Sequence, residues 1–183
     1  MTTTITIPTL ETERLILRAP RADDLDAYAA FGASDRSRGV GGPYTRDQSF
    51  QRLCGLIGHW HVRGYGRWML EEKSSGQPMG VVGLFFPEDW PEPEIGWSVF
   101  DAAEGKGYAY EAACAARAYA YDILGWETVV SLTVDGNTRS EALAKRMGAT
   151  LDRVFEHPSF GAMNVWRHLP PESLVNGGME AYA

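Results

Sequence analysis

The stretch that most constrains this chain runs from residue 94 to residue 109. It reads Glu94-Ile95-Gly96-Trp97-Ser98-Val99-Phe100, then Asp101-Ala102-Ala103, then Glu104-Gly105-Lys106-Gly107-Tyr108-Ala109. An alanine-rich run follows without a break, so the pattern is a strand, a short turn and a glycine-rich loop that opens a helix. The first amides of a helix have no intrahelical acceptor and lie at the positive end of its dipole, which makes such a loop a seat for an anion. Gly105 and Gly107 keep side chains out of the way, so a diphosphate can approach the backbone closely.

The elements around this stretch follow from periodicity and from turn residues. Residues 14–18 alternate as a strand. Asp23 or Asp24 caps a helix with Leu25, Tyr28, Ala29 and Phe31 inward. Residues 39–43, three glycines and a proline among them, form a loop. Thr45 or Asp47 starts a second helix with Phe50, Leu53, Cys54, Ile57 and Trp60 inward. Residues 67–72 and 79–86 make a hairpin, and three prolines keep the acidic loop 87–93 out of any central strand. The helix over residues 107–124 carries Ala109, Ala112, Ala113, Ala116, Ala120 and Ile123 along one side, so it can lie close to a sheet. Residues 128–134 form a strand. Asn137 or Thr138 caps a last helix with Leu143, Ala144 and Met147 inward, and residues 151–155 and 164–168 close the fold as a strand pair. The order predicts one α/β domain, residues 9–168, with a mixed, mostly antiparallel sheet and about four flanking helices. Residues 169–183 read as a loose tail.

Composition narrows the partners. The chain has 183 residues and a net charge of −7, against the basic footprint that sequence-independent nucleic-acid binding needs. No apolar run approaches the length of a membrane helix. Met1-Thr2-Thr3-Thr4 lacks the charged and apolar regions of a signal peptide. Cys54 and Cys114 are far apart, which suits reduced thiols in a cytoplasmic protein and gives no metal spacing. His59 and His61, two apart on a helix, face differently, so no metal is expected.

The phosphate ligand can be narrowed too. A dinucleotide fold would need a third glycine where Tyr110 stands, and a P-loop would need Lys-Ser/Thr after its glycines; neither is present. The order of motifs instead resembles the GNAT superfamily of acyl-CoA N-acyltransferases, with most similarity to the ribosomal-protein N-terminal acetyltransferases (the RimJ/RimL-like branch) and their small-molecule relatives. The resemblance covers roughly residues 9–168. It rests on Leu10-Glu11-Thr12-Glu13-Arg14-Leu15-Ile16-Leu17-Arg18 followed by Asp23-Asp24, on Glu104-Gly105-Lys106-Gly107-Tyr108-Ala109 continued by Glu111-Ala112, and on Asn137-Thr138-Arg139-Ser140 leading to Gly148.

What this resemblance implies is an acetyl-CoA co-substrate, no metal, and a GNAT-like fold splayed at its central strands. Main-chain groups of Trp97, Ser98 and Val99 would hold the pantetheine arm, and the loop from Glu104 through Gly105, Lys106, Gly107 and Tyr108 to Ala109 the diphosphate. Asn137 would hydrogen-bond the pantetheine, or serve only as a helix cap. Arg139, Arg146 or Lys145 would reach the adenosine 3′-phosphate, or be solvated charges. The chain departs from the family pattern twice. Glu104 stands where Gln or Arg is usual, and Ala144 where many members carry a tyrosine that protonates the leaving thiolate. Ser140 matches the serine that serves this purpose in the branch named above.

The implied reaction is direct attack of a primary amine on the thioester, with no acyl-enzyme. The acceptor is a protein N-terminal α-amine or a small-molecule amine. An amine must be neutral to attack, so a base matters, more for a lysine-like amine than for an α-amine. Glu94 is the first candidate; Glu92, Glu88 and Asp89 are others, and their acidic loop would suit a cationic acceptor. A homodimer is allowed but not demanded. The same fold could also bind acetyl-CoA without catalysis, as a sensor or interaction module, and Glu104 and Ala144 favour that alternative.

Overall fold

The structure is a computed structural model and describes residues 4–174. Among the described residues, eight strands and four α-helices are arranged as strands β1 (Leu10–Glu11) and β2 (Leu15–Arg18), helices α1 (Leu25–Ala33) and α2 (Arg46–Arg63), and strands β3 (Arg67–Glu72), β4 (Pro78–Phe85) and β5 (Glu94–Val99). Then follow helix α3 (Tyr108–Ala118), strand β6 (Val130–Val134), helix α4 (Thr138–Arg146) and strands β7 (Thr150–His157) and β8 (Gly161–Arg167). The strands hydrogen-bond in the order β1-β2-β3-β4-β5-β6-β8-β7. Pairs β1–β2, β2–β3, β6–β8 and β8–β7 are antiparallel, and β5–β6 is parallel. This is the α/β fold with a mixed, mostly antiparallel sheet that the sequence predicts. No helix among the described residues is long and apolar enough to cross a membrane.

The chain forms two compact units. The first takes the described residues up to Val82 together with Trp97–Tyr108; the second takes Gly83–Gly96 and the described residues from Ala109 onward. In the first unit, Tyr28, Leu53, Leu56, Met69, Val81 and Phe100 form an apolar cluster that joins α1 and α2 to the strands. Thr45 caps α2 in a reciprocal box with Gln48, which satisfies two amides that the helix leaves open. The buried stripe of α2 is Ser49, Leu53, Leu56 and Trp60. Phe50 is exposed, as is Cys54. The stripe is thus rotated from the one expected, because a polar serine faces inward and the apolar pattern alone cannot reveal that. The expected loop at 39–43 is partly helical: a 3-10 segment spans Asp35–Val40 before Gly41 turns left-handed at φ 92°.

In the second unit, α3 is buried on every side from Glu111 to Ala118. Alanine permits this, since a small side chain lets several neighbours approach one helix, and its intrinsic helix propensity is the highest. The helix widens into a π turn over Tyr119–Ile123, which puts Ile123 in solvent at 68% exposure rather than on the alanine face. The closing hairpin is longer than expected, and β1 lies beyond the strand start read from the sequence. The expected tail begins with a 3-10 turn, Pro171–Ser173; its residues 175–183 lie outside the described residues.

Candidate active site

The loop expected to seat a diphosphate, Glu104–Ala109, lies in the first unit as far as Tyr108, and Ala109 belongs to the second. Gly105 and Gly107 adopt φ of 73° and 78°, a left-handed conformation that costs an L side chain about 1–2 kcal/mol. Their amides donate to no backbone acceptor among the described residues. A Cβ on Gly105 would meet nothing within 4 Å, and one on Gly107 only the Arg14 guanidinium, at 3.5 Å. The loop therefore offers open backbone donors immediately before α3, as an anion seat requires.

Three side chains from elsewhere fix the loop. Arg14, just before β2, donates to the Lys106 carbonyl at 2.8 Å and lies over the Tyr108 ring. Glu72, at the end of β3, accepts from the Tyr108 hydroxyl at 2.5 Å and pairs with the Lys106 ammonium at 3.2 Å. Hydrogen bonds from Ser75, Tyr108 and Lys106 hold the Glu72 carboxyl down at about 2. Lys106 is thus bound to a carboxylate here. Arg36, in the 3-10 segment after α1, pairs with Glu104 and Asp101 and donates to the Val99 carbonyl at 3.2 Å. The Gln or Arg usual at the first motif position is missing, but a guanidinium from residue 36 sits against the glutamate.

Trp97, Ser98 and Val99 end β5, next to β4. Gly80 makes that approach possible: a Cβ there would lie 2.5 Å from the Ser98 carbonyl oxygen and 2.9 Å from the Val99 Cα. Phe100 donates to the Met79 carbonyl at 2.9 Å.

The remaining candidates lie in the second unit. The β5–β6 ladder holds one Cα pair, Glu94↔Val130. Side chains take over where it stops. The Glu94 carboxylate, 6% exposed, accepts from the Leu132 amide at 3.0 Å. Ser131 donates to the Ile95 carbonyl at 2.7 Å. Behind Ser131 lies buried His168, whose Nε2–H donates to the Ser131 oxygen while Nδ1 accepts from Arg117. Burial first, then the Arg117 charge, push His168 down to about 3, so the ring is neutral.

Asn137 caps α4, its Oδ1 accepting from the Ser140 amide at 3.3 Å. The cap uses only the oxygen, leaving the Nδ2 donor outside it. Ser140 sits in the first turn of α4. Ala144 is fully buried. Arg146 stacks on the Tyr110 ring at 4.3 Å and Lys145 on Trp166 at 5.1 Å; Arg139 is exposed.

The acidic loop is not an open negative surface. Glu92 is bound by Arg167 and Arg153, and the Arg167 hydrogen bonds, ahead of those from Arg153, hold its carboxyl down at about 2. Asp89 accepts from His157 Nε2 at 3.0 Å. That ring is 4% exposed, because Trp90, Phe155 and Phe160 pack around it.

Sequence reasoning gave no role to Arg14, Arg36, Glu72 or His168. Arg14 lies inside the opening motif and could have been singled out there. Arg36 and Glu104 are 68 residues apart, and no local pattern links them.

The family described as the acetyltransferase (GNAT) domain matches residues 14–150. The acetyltransferase from Agrobacterium tumefaciens str. C58 is 38% identical in sequence, with a TM-score of 0.82 over 92% of this chain and 98% of that one. YoaA from Bacillus subtilis (strain 168), named as an uncharacterized N-acetyltransferase, is 24% identical over 145 residues, 77% of this chain and 82% of that protein. A ribosomal L7/L12 α-N-protein acetyltransferase, RimL, solved in complex with coenzyme A, superposes with a TM-score of 0.73 over 88% of this chain and 98% of that one; at 16% identity it bears on the fold alone. With the motifs in order, the fold in place and the family matched over most of its length, this chain belongs to the GNAT acetyltransferases.

Proposed function

We propose that the protein transfers an acetyl group from acetyl-CoA to a primary amine, by direct attack in a ternary complex, and that residues 9–168 are the catalytic domain. The observation that carries this is the loop at Gly105 and Gly107, with open amides and a guanidinium, Arg36, set against Glu104. That pairing offsets the repulsion a carboxylate beside a diphosphate would cause. The loop amides from Gly105 to Ala109 hold the diphosphate. Main-chain groups of Trp97, Ser98 and Val99 hold the pantetheine arm, and an amide near Val99 polarises the thioester carbonyl. Asn137 donates from Nδ2 to the arm, Arg139 and Arg146 serve the 3′-phosphate, and Ser140 stabilises the leaving thiolate.

Glu94 is the proposed base. Its carboxylate is positioned by the Leu132 amide, and it would take the proton of the attacking amine directly or through water. Glu94→Gln keeps an oxygen for that amide and removes the base. We expect kcat to fall at least tenfold while the affinity for CoA, read by calorimetry, stays within twofold. An unchanged kcat would remove Glu94 from the mechanism.

A second reading, acetyl-CoA binding without turnover, is favoured by one observation: Ala144 is buried and supplies no proton donor. Thiol release from acetyl-CoA across a panel of peptide N-termini, polyamines and amino acids separates the two. Acceptor-dependent release supports the transferase. Tight CoA binding with no release supports the binding module, and absence of CoA binding rejects both.

A further inference from the structure

The parallel pairing of β5 with β6 stops early, and both groups of the bond that would continue it are already taken. The Val130 amide donates to the Pro93 carbonyl at 3.3 Å, and Glu94↔Val130 is the one Cα pair of this ladder among the described residues. Strand geometry repeats every two residues, so the next bond in the same register would run from the Leu132 amide to the Ile95 carbonyl. In its place the Leu132 amide donates to Glu94 Oε2 at 3.0 Å, and the Ile95 carbonyl accepts from the Ser131 hydroxyl at 2.7 Å. Each half of the missing bond is satisfied by a side chain from the opposite strand.

Both side chains are prepared for this place. Gly96 gives the Glu94 carboxylate its room, since a Cβ there would lie 3.2 Å from Oε1. Ser131 is buried, and its hydrogen has one direction open. Arg117, itself held by the Met147 carbonyl at 2.7 Å, donates to His168 Nδ1 at 3.4 Å. A guanidinium has no acceptor to offer, so Nδ1 accepts and Nε2 carries the hydrogen of the neutral ring. Nε2 lies 3.0 Å from Ser131 Oγ and donates to it. The Ser131 hydrogen is then left for the Ile95 carbonyl. All of these groups belong to the second unit.

We infer that Glu94 and Ser131 are spacers that keep β5 from zipping onto β6, with His168 and Arg117 as positioning residues that aim the Ser131 hydrogen. A ladder brings neighbouring strands to about 4.8 Å, and a side chain set between donor and acceptor holds them further apart. A ladder continued past Ile95 would consume main-chain groups of β5, the strand whose next residues are assigned to the pantetheine arm. The consequence for CoA rests on that acyl-transfer reading; the spacing of the strands does not. Removing both spacers should therefore act in opposite directions. The two freed main-chain groups meet and restore a bond, while CoA loses the groups that hold it.

The test is a double-mutant cycle of Ser131→Ala and Glu94→Ala, read by thermal melts, CoA calorimetry and NMR. Each single variant leaves one main-chain group without its partner, so each should melt below the parent. In the double variant the loss should be smaller than the sum of the two. A coupling across a hydrogen bond between the Leu132 nitrogen and the Ile95 carbonyl carbon, absent in the parent, should appear there. CoA affinity should nevertheless fall by about tenfold, the worth of one or two hydrogen bonds. Ser131→Thr with Glu94→Gln, which keeps a hydroxyl and an oxygen acceptor, should bind CoA as the parent does. Additive losses of stability without the new coupling would overturn the proposal, and so would parental CoA affinity in the double variant. If the double variant does not fold, Ser131→Ala alone decides: it should bind CoA more weakly than Ser131→Thr, and equal affinities would overturn the proposal. Failure of the parent to bind CoA would reject the acyl-transfer reading instead, and the melts and the coupling would still report on the spacing.

Discussion

Glu104 is one of the two positions at which this chain departs from the family pattern, and its partner gives the departure a physical account. A carboxylate at the first position of a diphosphate loop repels the ligand. Arg36 pairs with it and also reaches Asp101 and the Val99 carbonyl, so one guanidinium links the loop to the central strand. Arg36→Ala should therefore weaken CoA binding more than the loss of an exposed charge would, by about tenfold, because Glu104 then loses that guanidinium. Glu104→Gln should bind CoA at least as well as the parent, and Arg36→Ala with Glu104→Gln should recover most of the loss. A double-mutant cycle by calorimetry measures this coupling. Additive effects would mean that the pair does not act as a unit. Arg14 and Glu72 hold the same loop through Lys106 and Tyr108.

At the scale of elements, the central strand is defined by two different boundaries. On the β4 side Gly80 allows contact with main chain, and on the β6 side the ladder stops after one pair and side chains continue it. A strand that leaves its neighbour early keeps main-chain donors and acceptors available for a ligand. Gly80→Ala tests the first boundary. The new methyl would fall 2.5 Å from the Ser98 oxygen, so β5 must move. Overpacking of this kind costs about 1–3 kcal/mol. The expected result is a melting temperature lower by several degrees together with weaker CoA binding. A variant with parental stability and parental affinity would show that β5 has slack at this point.

For the whole molecule, buried and paired ionisable groups set the pH range of stability. The folded chain holds His168 neutral down to about pH 3, against 6.5 for an ordinary histidine. Between those values only the unfolded chain takes up the proton, so stability falls as pH drops below 6.5. Glu72 and Glu92 titrate at about 2 when folded, against 4.5 otherwise. Their contributions are complete above 4.5 and are lost as pH falls from 4.5 towards 2. Urea melts should thus show a first decline between pH 6.5 and 4.5 and a steeper one below. His168→Gln should flatten the first and leave the second. A first decline unchanged in that variant would assign it to another group.

Local pattern was enough for much of this. The strand–turn–glycine-loop–helix run at 94–109, the cap at Asn137, the alanine helix and the element order are all set by short-range rules: backbone φ, capping chemistry and hydrophobic period. These rules also placed the glycine-rich loop and identified the family pattern. They failed wherever a residue's role depends on a partner far along the chain. Ser49 rather than Phe50 faces inward on α2, Arg36 meets Glu104, Glu92 is spent on Arg167, and His168 supports the β5–β6 junction. Such pairings cost loop-closure entropy and form only because the packed apolar core has already brought the elements together. The sequence by itself determined the glycine-rich loop and the strand that precedes it; the tertiary structure decided which charges surround that loop, because Arg36, Glu72 and Arg14 reach it from distant parts of the chain.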